Sequence, residues 1–227
     1  MIKIGHRGAM GYEPENTLLS FKKAINLGAD MIELDVYKCK TGELVVIHDD
    51  KVDRTTNGSG HVMDKTLDEL KKLDAGKGEK IPTLEEVFDL VNRKVVINIE
   101  LKGEDTSEAV AVLIEKYVDE KKWSYDDFLI SSFHHIELQK FHEFEPKVKI
   151  GALITGIPLK YGKFAEKIGA YSVHPSIEFL DQEFVNDCHK RNMKVFVYTV
   201  NDSDGISRME KLGVDGIISD FPDKINK

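Results

Sequence analysis

The chain has 227 residues, of which 41% are hydrophobic and 32% charged, and its formal net charge is −8 at pH 7. This composition is typical of a soluble globular protein, and the acidic balance argues against wholesale binding of nucleic acid or anionic lipid. No stretch has the length and apolarity of a membrane span or a secretory signal, so we expect a cytoplasmic protein without stable membrane association. The two cysteines, Cys39 and Cys188, lie far apart and are expected to be reduced and incidental.

Eight short segments rich in Val, Ile, Leu or aromatic residues are predicted as strands. They are residues 2–7, 31–37, 95–101, 128–133, 149–154, 170–174, 194–200 and 216–219. Amphipathic segments between most of them predict helices at residues 17–27, 83–91, 108–118, 136–144, 182–191 and 204–212. Alternating strands and helices indicate a parallel sheet covered by helices, and eight repeats favour closure. The chain is therefore predicted to be an α/β TIM (β/α)8 barrel, a single domain spanning residues 1–227.

One region breaks this alternation. Residues 43–48 resemble a strand and follow a short Thr41-Gly42 turn, which is too short for a parallel crossover. We therefore expect an antiparallel hairpin that returns across the barrel mouth and brings His48 beside Asp35. The next segment, about residues 50–78, holds a cluster of turn residues and a short helix near residues 67–73. It is predicted to be a small cap insertion over the site.

Charged side chains share one face of the predicted strands. Glu33 and Asp35 are two residues apart, as are Glu100 and Lys102, and residues two apart in a strand point to the same side. Buried charges are costly unless they bind an ion or one another. Because TIM-barrel active sites lie at the carboxyl ends of the strands, these positions predict an active site.

The three carboxylates Glu33, Asp35 and Glu100 would repel one another unless a cation lay between them. A hard divalent cation, Ca²⁺ or Mg²⁺, suits oxygen ligands, whereas zinc favours His and Cys. Arg7 and Lys102 suit a phosphate anion, the guanidinium through a two-pronged hydrogen bond and the ammonium as a point charge. The sequence thus predicts a metal site beside a phosphate site.

Two histidines complete the predicted chemistry. His6 lies near the end of the first predicted strand, between Gly5 and Arg7, and His48 ends the hairpin. Imidazole titrates near neutrality, so one ring can act as a base while the other acts as an acid on the two ester oxygens. The other histidines are expected on surfaces or at helix caps, with His174 singled out because it ends a predicted strand.

The motifs around these residues resemble those of glycerophosphodiester phosphodiesterases along the whole chain. The matching motifs are His6-Arg7-Gly8, Pro14-Glu15-Asn16-Thr17, Glu33-Leu34-Asp35-Val36, Val45-Val46-Ile47-His48-Asp49, Arg54-Thr55-Thr56-Asn57-Gly58-Ser59-Gly60, Glu100-Leu101-Lys102 and Gly213-Val214-Asp215-Gly216-Ile217-Ile218. The resemblance implies a TIM barrel with a small insertion, a divalent metal on the three carboxylates, an acid–base pair of histidines, and Arg7 and Lys102 on the phosphate. It implies hydrolysis of a small glycerophosphodiester, such as glycerophosphocholine or glycerophosphoethanolamine, to glycerol 3-phosphate and an alcohol.

Phe133 and Tyr198 end later strands and are predicted to wall the substrate pocket. Tyr198 stands where the family commonly has Trp, so this wall is expected to differ from the family pattern. Two other functions are compatible with a barrel of this kind. A phospholipase would need an apolar rim for membrane contact, and a non-catalytic sensor of glycerophosphodiesters would lack one of the two histidines. A Schiff-base role for Lys102 is disfavoured because nearby carboxylates would keep it charged. The sequence does not determine the oligomeric state, and a homo-oligomer is compatible with it.

Overall fold

The computed structural model describes residues 1–225, and within them eight parallel strands close into a barrel. The first strand, Ile2–Gly5, pairs with both the second, Met31–Lys38, and the last, Gly216–Ser219, which closes the cylinder. The parallel strands are β1 (Ile2–Gly5), β2 (Met31–Lys38), β4 (Val96–Leu101), β5 (Phe128–Ser132), β6 (Lys149–Ile154), β7 (Ser172–Pro175), β8 (Lys194–Val197) and β9 (Gly216–Ser219). The predicted TIM barrel is confirmed.

The helices cover the outside of the barrel. They are α1 (Leu18–Asn26), α2 (Leu67–Lys72), α3 (Leu84–Val91), α4 (Ser107–Lys121), α5 (His135–Phe144), α6 (Lys163–Lys167), α7 (Gln182–Lys190) and α8 (Ser203–Leu212), with short 3-10 turns at Val62–Asp64, Tyr125–Asp127, Ile177–Phe179 and Pro222–Lys224. The six helices predicted between strands are all present. Their starts follow ordinary capping chemistry, because Thr17, Thr83 and Asp202 each accept a hydrogen bond from a backbone N–H of the first turn.

The hairpin and the insertion lie beside β2. Strand β3 (Leu44–Val46) runs antiparallel to β2, with Val36 opposite Val46, as predicted for a hairpin. The segment that follows has a small apolar core of its own, shared with the hairpin and the loops around it. Its buried members are Cys39, Val45, Ile47, Val52, Val62, Leu70, Ala75 and Ile81. The insertion is therefore fastened to the hairpin that carries His48.

A separate apolar cluster plugs the inside of the barrel. It is formed by Ile4, Met31, Leu129, Phe196 and Ile218, all of them buried. Side chains further along the same strand faces are polar, so the polar layer lies above the plug, toward the carboxyl ends of the strands. Because apolar side chains fill the interior below this layer, the strands can present charged groups to a ligand only at the mouth formed by their carboxyl ends.

The expectation that His174 lies on a surface or cap is wrong. His174 is fully buried, its Nε2 lies 2.8 Å from Ser172 Oγ, and its ring packs against Phe196. A Cβ atom at Gly151 would lie 2.5 Å from His174 Nε2, so the neighbouring strand must carry glycine there. Burial lowers the pKa of His174 from 6.5 to about 3, which keeps the ring neutral.

No helix within residues 1–225 is both long and apolar enough to cross a membrane.

Candidate active site at the barrel mouth

The predicted site residues converge on one cavity. A cavity of about 270 Å³ at the barrel mouth is lined by eight of them, namely His6, Arg7, Glu33, His48, Glu100, Lys102, Phe133 and Tyr198. The ninth, Asp35, lies against this lining, because its carboxylate oxygens come within 4.8 Å of those of Glu33 and Glu100. A larger groove of about 920 Å³ lies between the hairpin and α4 and contains none of the nine.

The three carboxylates form a buried cluster. Glu33, Asp35 and Glu100 are 5%, 1% and 7% exposed. Strands β2 and β4 pair in register, with Asp35 beside Glu100, which explains why side chains far apart in sequence meet. Burial, followed by repulsion from Asp35, raises the pKa of Glu100 to about 7, and the same causes raise the pKa of Glu33 well above its usual range. The cluster of three carboxylates therefore has more negative charge than the neighbouring side chains of the protein neutralise.

Two contacts from the β1–α1 loop orient the cluster. The backbone N–H of Arg7 donates to Glu33 Oε2 at 2.8 Å, and the side-chain amide of Asn16 donates to Asp35 Oδ2 at 2.8 Å. The other oxygen of Asp35, Oδ1, is buried and accepts no hydrogen bond from the described residues. A buried carboxylate oxygen without a donor is costly, so it is suited to a ligand from outside the chain.

Glycine is required where this loop leaves β1. Gly8 has a φ of +85°, and a Cβ atom there would lie 2.4 Å from Ser20 Oγ. Ser20 Oγ in turn donates to the Arg7 carbonyl at 2.8 Å, which ties the loop to α1. This tight turn directs the Arg7 N–H toward the carboxylate cluster.

The two predicted phosphate ligands flank the cluster. Arg7 Nη1 donates to Glu15 Oε1 at 2.7 Å, while Arg7 Nε is buried and makes no hydrogen bond among residues 1–225. Lys102 Nζ lies 2.9 Å from Glu100 Oε1 and 3.6 Å from Asp35 Oδ1. Burial opposes the charge of Lys102, but Glu100 and Asp35 outweigh it and raise its pKa. Both cations therefore remain charged at the mouth.

His6 is held by a carboxylate that directly follows the last strand. Its Nδ1 lies 2.6 Å from Asp220 Oδ1, and Asn201 donates to Asp220 Oδ2 at 2.7 Å. Burial opposes ionisation of Asp220, yet the bond with His6 and the one from Asn201 lower its pKa. An ionised carboxylate only accepts hydrogen bonds, so His6 carries its proton on Nδ1 when the ring is neutral, which leaves Nε2 as the basic nitrogen.

His48 has a similar support from its neighbour in sequence. Its Nδ1 lies 2.6 Å from Asp49 Oδ1, and Lys102 Nζ lies 3.1 Å from its Nε2. Burial is the largest influence on this ring and lowers the pKa of His48. With a proton on Nδ1, a neutral His48 accepts a hydrogen bond from Lys102 through Nε2.

Two aromatic rings form one wall of the cavity. The rings of Phe133 and Tyr198 meet edge to face, with centroids 5.8 Å apart. The Tyr198 hydroxyl donates to the Ile154 carbonyl at 3.0 Å, and Lys102 Nζ lies 6.0 Å from the Phe133 ring centroid. Phe133 is 45% exposed, so it stands at the opening of the cavity.

The sequence pattern predicts no role for the residues that hold these groups. Asp220 could have been found, because it directly follows β9 and so lies at a carboxyl end of a barrel strand. Asn16 and Glu15 lie in a loop motif, and Asp49 follows His48, but no strand pattern identifies their partners.

The chain is similar to known proteins over nearly its whole length. A sequence model of the Glycerophosphoryl diester phosphodiesterase family matches residues 6–224. A glycerophosphodiester phosphodiesterase of Caldanaerobacter subterraneus subsp. tengcongensis is 43% identical, with 98% of this chain and 95% of the relative covered. One of Bacillus altitudinis is 40% identical, with coverage of 100% and 98%.

A solved structure is similar over the same length. A phosphodiesterase of Oleispira antarctica, solved in complex with the product sn-glycerol-3-phosphate, is 32% identical and gives a TM-score of 0.90 over 99% of this chain and 95% of that one. The chain therefore belongs to the glycerophosphoryl diester phosphodiesterase family and is an enzyme with glycerophosphodiester phosphodiesterase activity.

Proposed function

We propose that the enzyme uses a divalent cation and two histidines to hydrolyse glycerophosphodiesters, such as glycerophosphocholine or glycerophosphoethanolamine, to glycerol 3-phosphate and an alcohol. The observation that carries this proposal is the buried cluster of Glu33, Asp35 and Glu100 between two cations and two histidines at one cavity. The relative from Oleispira antarctica, solved with sn-glycerol-3-phosphate, supports the proposed product.

The donor set fits a hard cation. Three buried carboxylates with ligand atoms within 4.8 Å of one another, one of them with an unpartnered oxygen, are suited to Ca²⁺ or Mg²⁺. Glu33, Asp35 and Glu100 would hold the ion. When bound, a divalent cation supplies positive charge that polarises a phosphoryl oxygen. Arg7 Nε lies 3.5 Å from Asp35 Oδ2 but makes no hydrogen bond to the described residues, so its N–H would be available to another phosphoryl oxygen.

The histidines are suited to opposite proton transfers. Each ring is oriented through Nδ1 by a carboxylate, which leaves Nε2 for proton exchange, at His48 once Lys102 Nζ turns from this nitrogen to the phosphate. One ring removes a proton from the nucleophile, and the other delivers a proton to the leaving alcohol. The nucleophile is either water or the 2-hydroxyl of the substrate's glycerol, whose attack would avoid the entropy of capturing water and yield a cyclic phosphate that water then opens to glycerol 3-phosphate. Phe133 and Tyr198 would pack against the carbon skeleton of the substrate.

An assay of glycerol 3-phosphate release tests this proposal. A panel of glycerophosphodiesters is incubated with the enzyme in Ca²⁺, in Mg²⁺ and in chelator, with bis(p-nitrophenyl) phosphate as a diester lacking glycerol. We expect release from the glycerol diesters, loss of turnover in chelator, and a bell-shaped pH profile. Full activity in excess chelator would contradict the proposed metal dependence. Cleavage of a 2-deoxyglycerol analogue at the same rate as the glycerol diester would contradict the route through a cyclic phosphate.

A further inference from the structure

Arg54 joins the two carboxylates that hold proposed site residues. Its Nη1 and Nη2 donate to the two oxygens of Glu15 at 2.8 and 2.7 Å. Its Nε and Nη2 donate to the two oxygens of Asp49 at 2.7 and 3.1 Å. Bidentate contacts of this kind fix direction as well as distance, because the guanidinium and carboxylate groups are planar. A single side chain therefore bridges two separate loops with four hydrogen bonds.

Each carboxylate passes this constraint on to a different side chain. Asp49 Oδ1 also contacts His48 Nδ1 at 2.6 Å, and Glu15 Oε1 also accepts from Arg7 Nη1 at 2.7 Å. The bond from Arg54 is the largest influence that lowers the pKa of Asp49, and it keeps this carboxylate an acceptor for His48. One end of the bridge thus orients the imidazole, while the other end orients the guanidinium.

The insertion supplies the backbone that carries Arg54. The Val52 N–H donates to the Gly60 carbonyl at 3.0 Å, and Thr56 Oγ1 donates to the Val52 carbonyl at 2.7 Å, so Arg54 lies within a closed turn. Val52 is fully buried in the small core of the insertion and hairpin. The turn is therefore held by packing that is independent of the site, which is what a rigid support requires.

We propose that Arg54 is a positioning residue, presented by the insertion, that holds His48 through Asp49 and Arg7 through Glu15. This assignment rests on the proposed function for its effect on turnover. It gives the insertion a task at the site, although none of residues 50–78 is among the described residues that line the cavity. Arg54 does not reach the reacting atoms itself, since all of its described hydrogen bonds go to Asp49 and Glu15.

The chain provides a matched control in Lys77. This lysine also links the insertion to the β1–α1 loop, because its Nζ donates to Glu13 Oε2 at 2.6 Å and to the Tyr12 carbonyl at 3.2 Å. It touches neither Asp49 nor Glu15. Lys77→Met therefore removes an ion pair between the same two segments without releasing His48 or Arg7.

The experiment compares Arg54→Met, Arg54→Lys and Lys77→Met with the unaltered enzyme. The readouts are kcat and KM for glycerophosphocholine, the thermal midpoint, and the ¹⁵N chemical shifts of the His48 ring, assigned by their loss in His48→Gln. Arg54→Met is expected to lower kcat by at least about tenfold, because a displaced acid or base is sharply less effective. It is also expected to reduce the fraction of His48 protonated on Nδ1. Arg54→Lys should recover part of both, and Lys77→Met should leave both unchanged.

Two results would overturn the proposal. One is an Arg54→Met enzyme with unaltered kcat and an unaltered His48 tautomer. The other is an equal loss of kcat in Arg54→Met and Lys77→Met. That result would mean that Arg54 only attaches the insertion to the β1–α1 loop and does not position His48 or Arg7. If the unaltered enzyme does not cleave glycerophosphodiesters, the proposed function fails, and the His48 ring spectrum still decides whether Arg54 positions that histidine.

Discussion

His174 makes the folded protein sensitive to acid, and replacing it with glutamine should remove that part of the sensitivity. The ring is fully buried, and its pKa falls from 6.5 to about 3 on folding because burial disfavours the charged form. Between these two pH values the unfolded chain binds a proton at His174 that the folded chain does not. Stability therefore decreases as the pH falls through this window, by about 1.4 kcal/mol for each pH unit. At pH 4.5 the loss from His174 is roughly 3 kcal/mol, a large share of a typical stability of about 5–15 kcal/mol.

The measurement is the free energy of unfolding by urea at several pH values from 7 to 4.5. His174→Gln is expected to be less stable than the unaltered enzyme at pH 7, because it disturbs a packed interior, but to lose less stability on acidification. His61→Gln is the control, since His61 is 44% exposed and its replacement removes a histidine without disturbing the packed interior around His174. Parallel plots of stability against pH for His174→Gln and the unaltered enzyme would refute the reasoning.

Three further predictions concern the site. Arg7→Lys should lower kcat/KM by about 10- to 150-fold, because a lost charge-assisted hydrogen bond costs about 1.5–3 kcal/mol, and unchanged kinetics would remove Arg7 from the phosphate site. His6→Ala and His48→Ala should each be nearly inactive while folded by circular dichroism, with the double variant hardly worse; near-normal turnover in either single variant would contradict its role. Glu33→Ala and Asp35→Ala should each lower activity by several orders of magnitude and weaken Ca²⁺ or Mg²⁺ binding in calorimetry, and unaltered binding would argue against the metal site.

The strand pattern predicted the barrel and the faces that carry charge, because side-chain alternation and strand ends are local properties. It could not place His174. Both faces of a barrel strand are buried, so the alternation of Val173 and His174 does not tell which side chain points inside. The helix Lys163–Lys167 has too few residues to show a helical period, which is why it was not predicted.

The supports of the site were harder to predict than the site itself. Asp220 meets His6 across 214 positions, and Arg54 meets Glu15 across 39. Closure of the barrel determines the first contact, and the path of two loops determines the second. Neither depends on a periodic signal, so the sequence could show which residues belong to a motif but not which of them touch.

The surroundings of the two histidines differ enough to separate their roles. Both rings are paired with a carboxylate through Nδ1, but burial lowers the pKa of His48, and Lys102 Nζ, 3.1 Å from its Nε2, adds to this effect and favours the neutral ring. We therefore predict that His48 is the base and His6 the acid. A p-nitrophenyl ester of glycerol phosphate tests this, because its leaving group departs without a proton. His6→Ala should recover much of its activity on this ester, and His48→Ala should recover little. Recovery by His48→Ala alone would reverse the assignment.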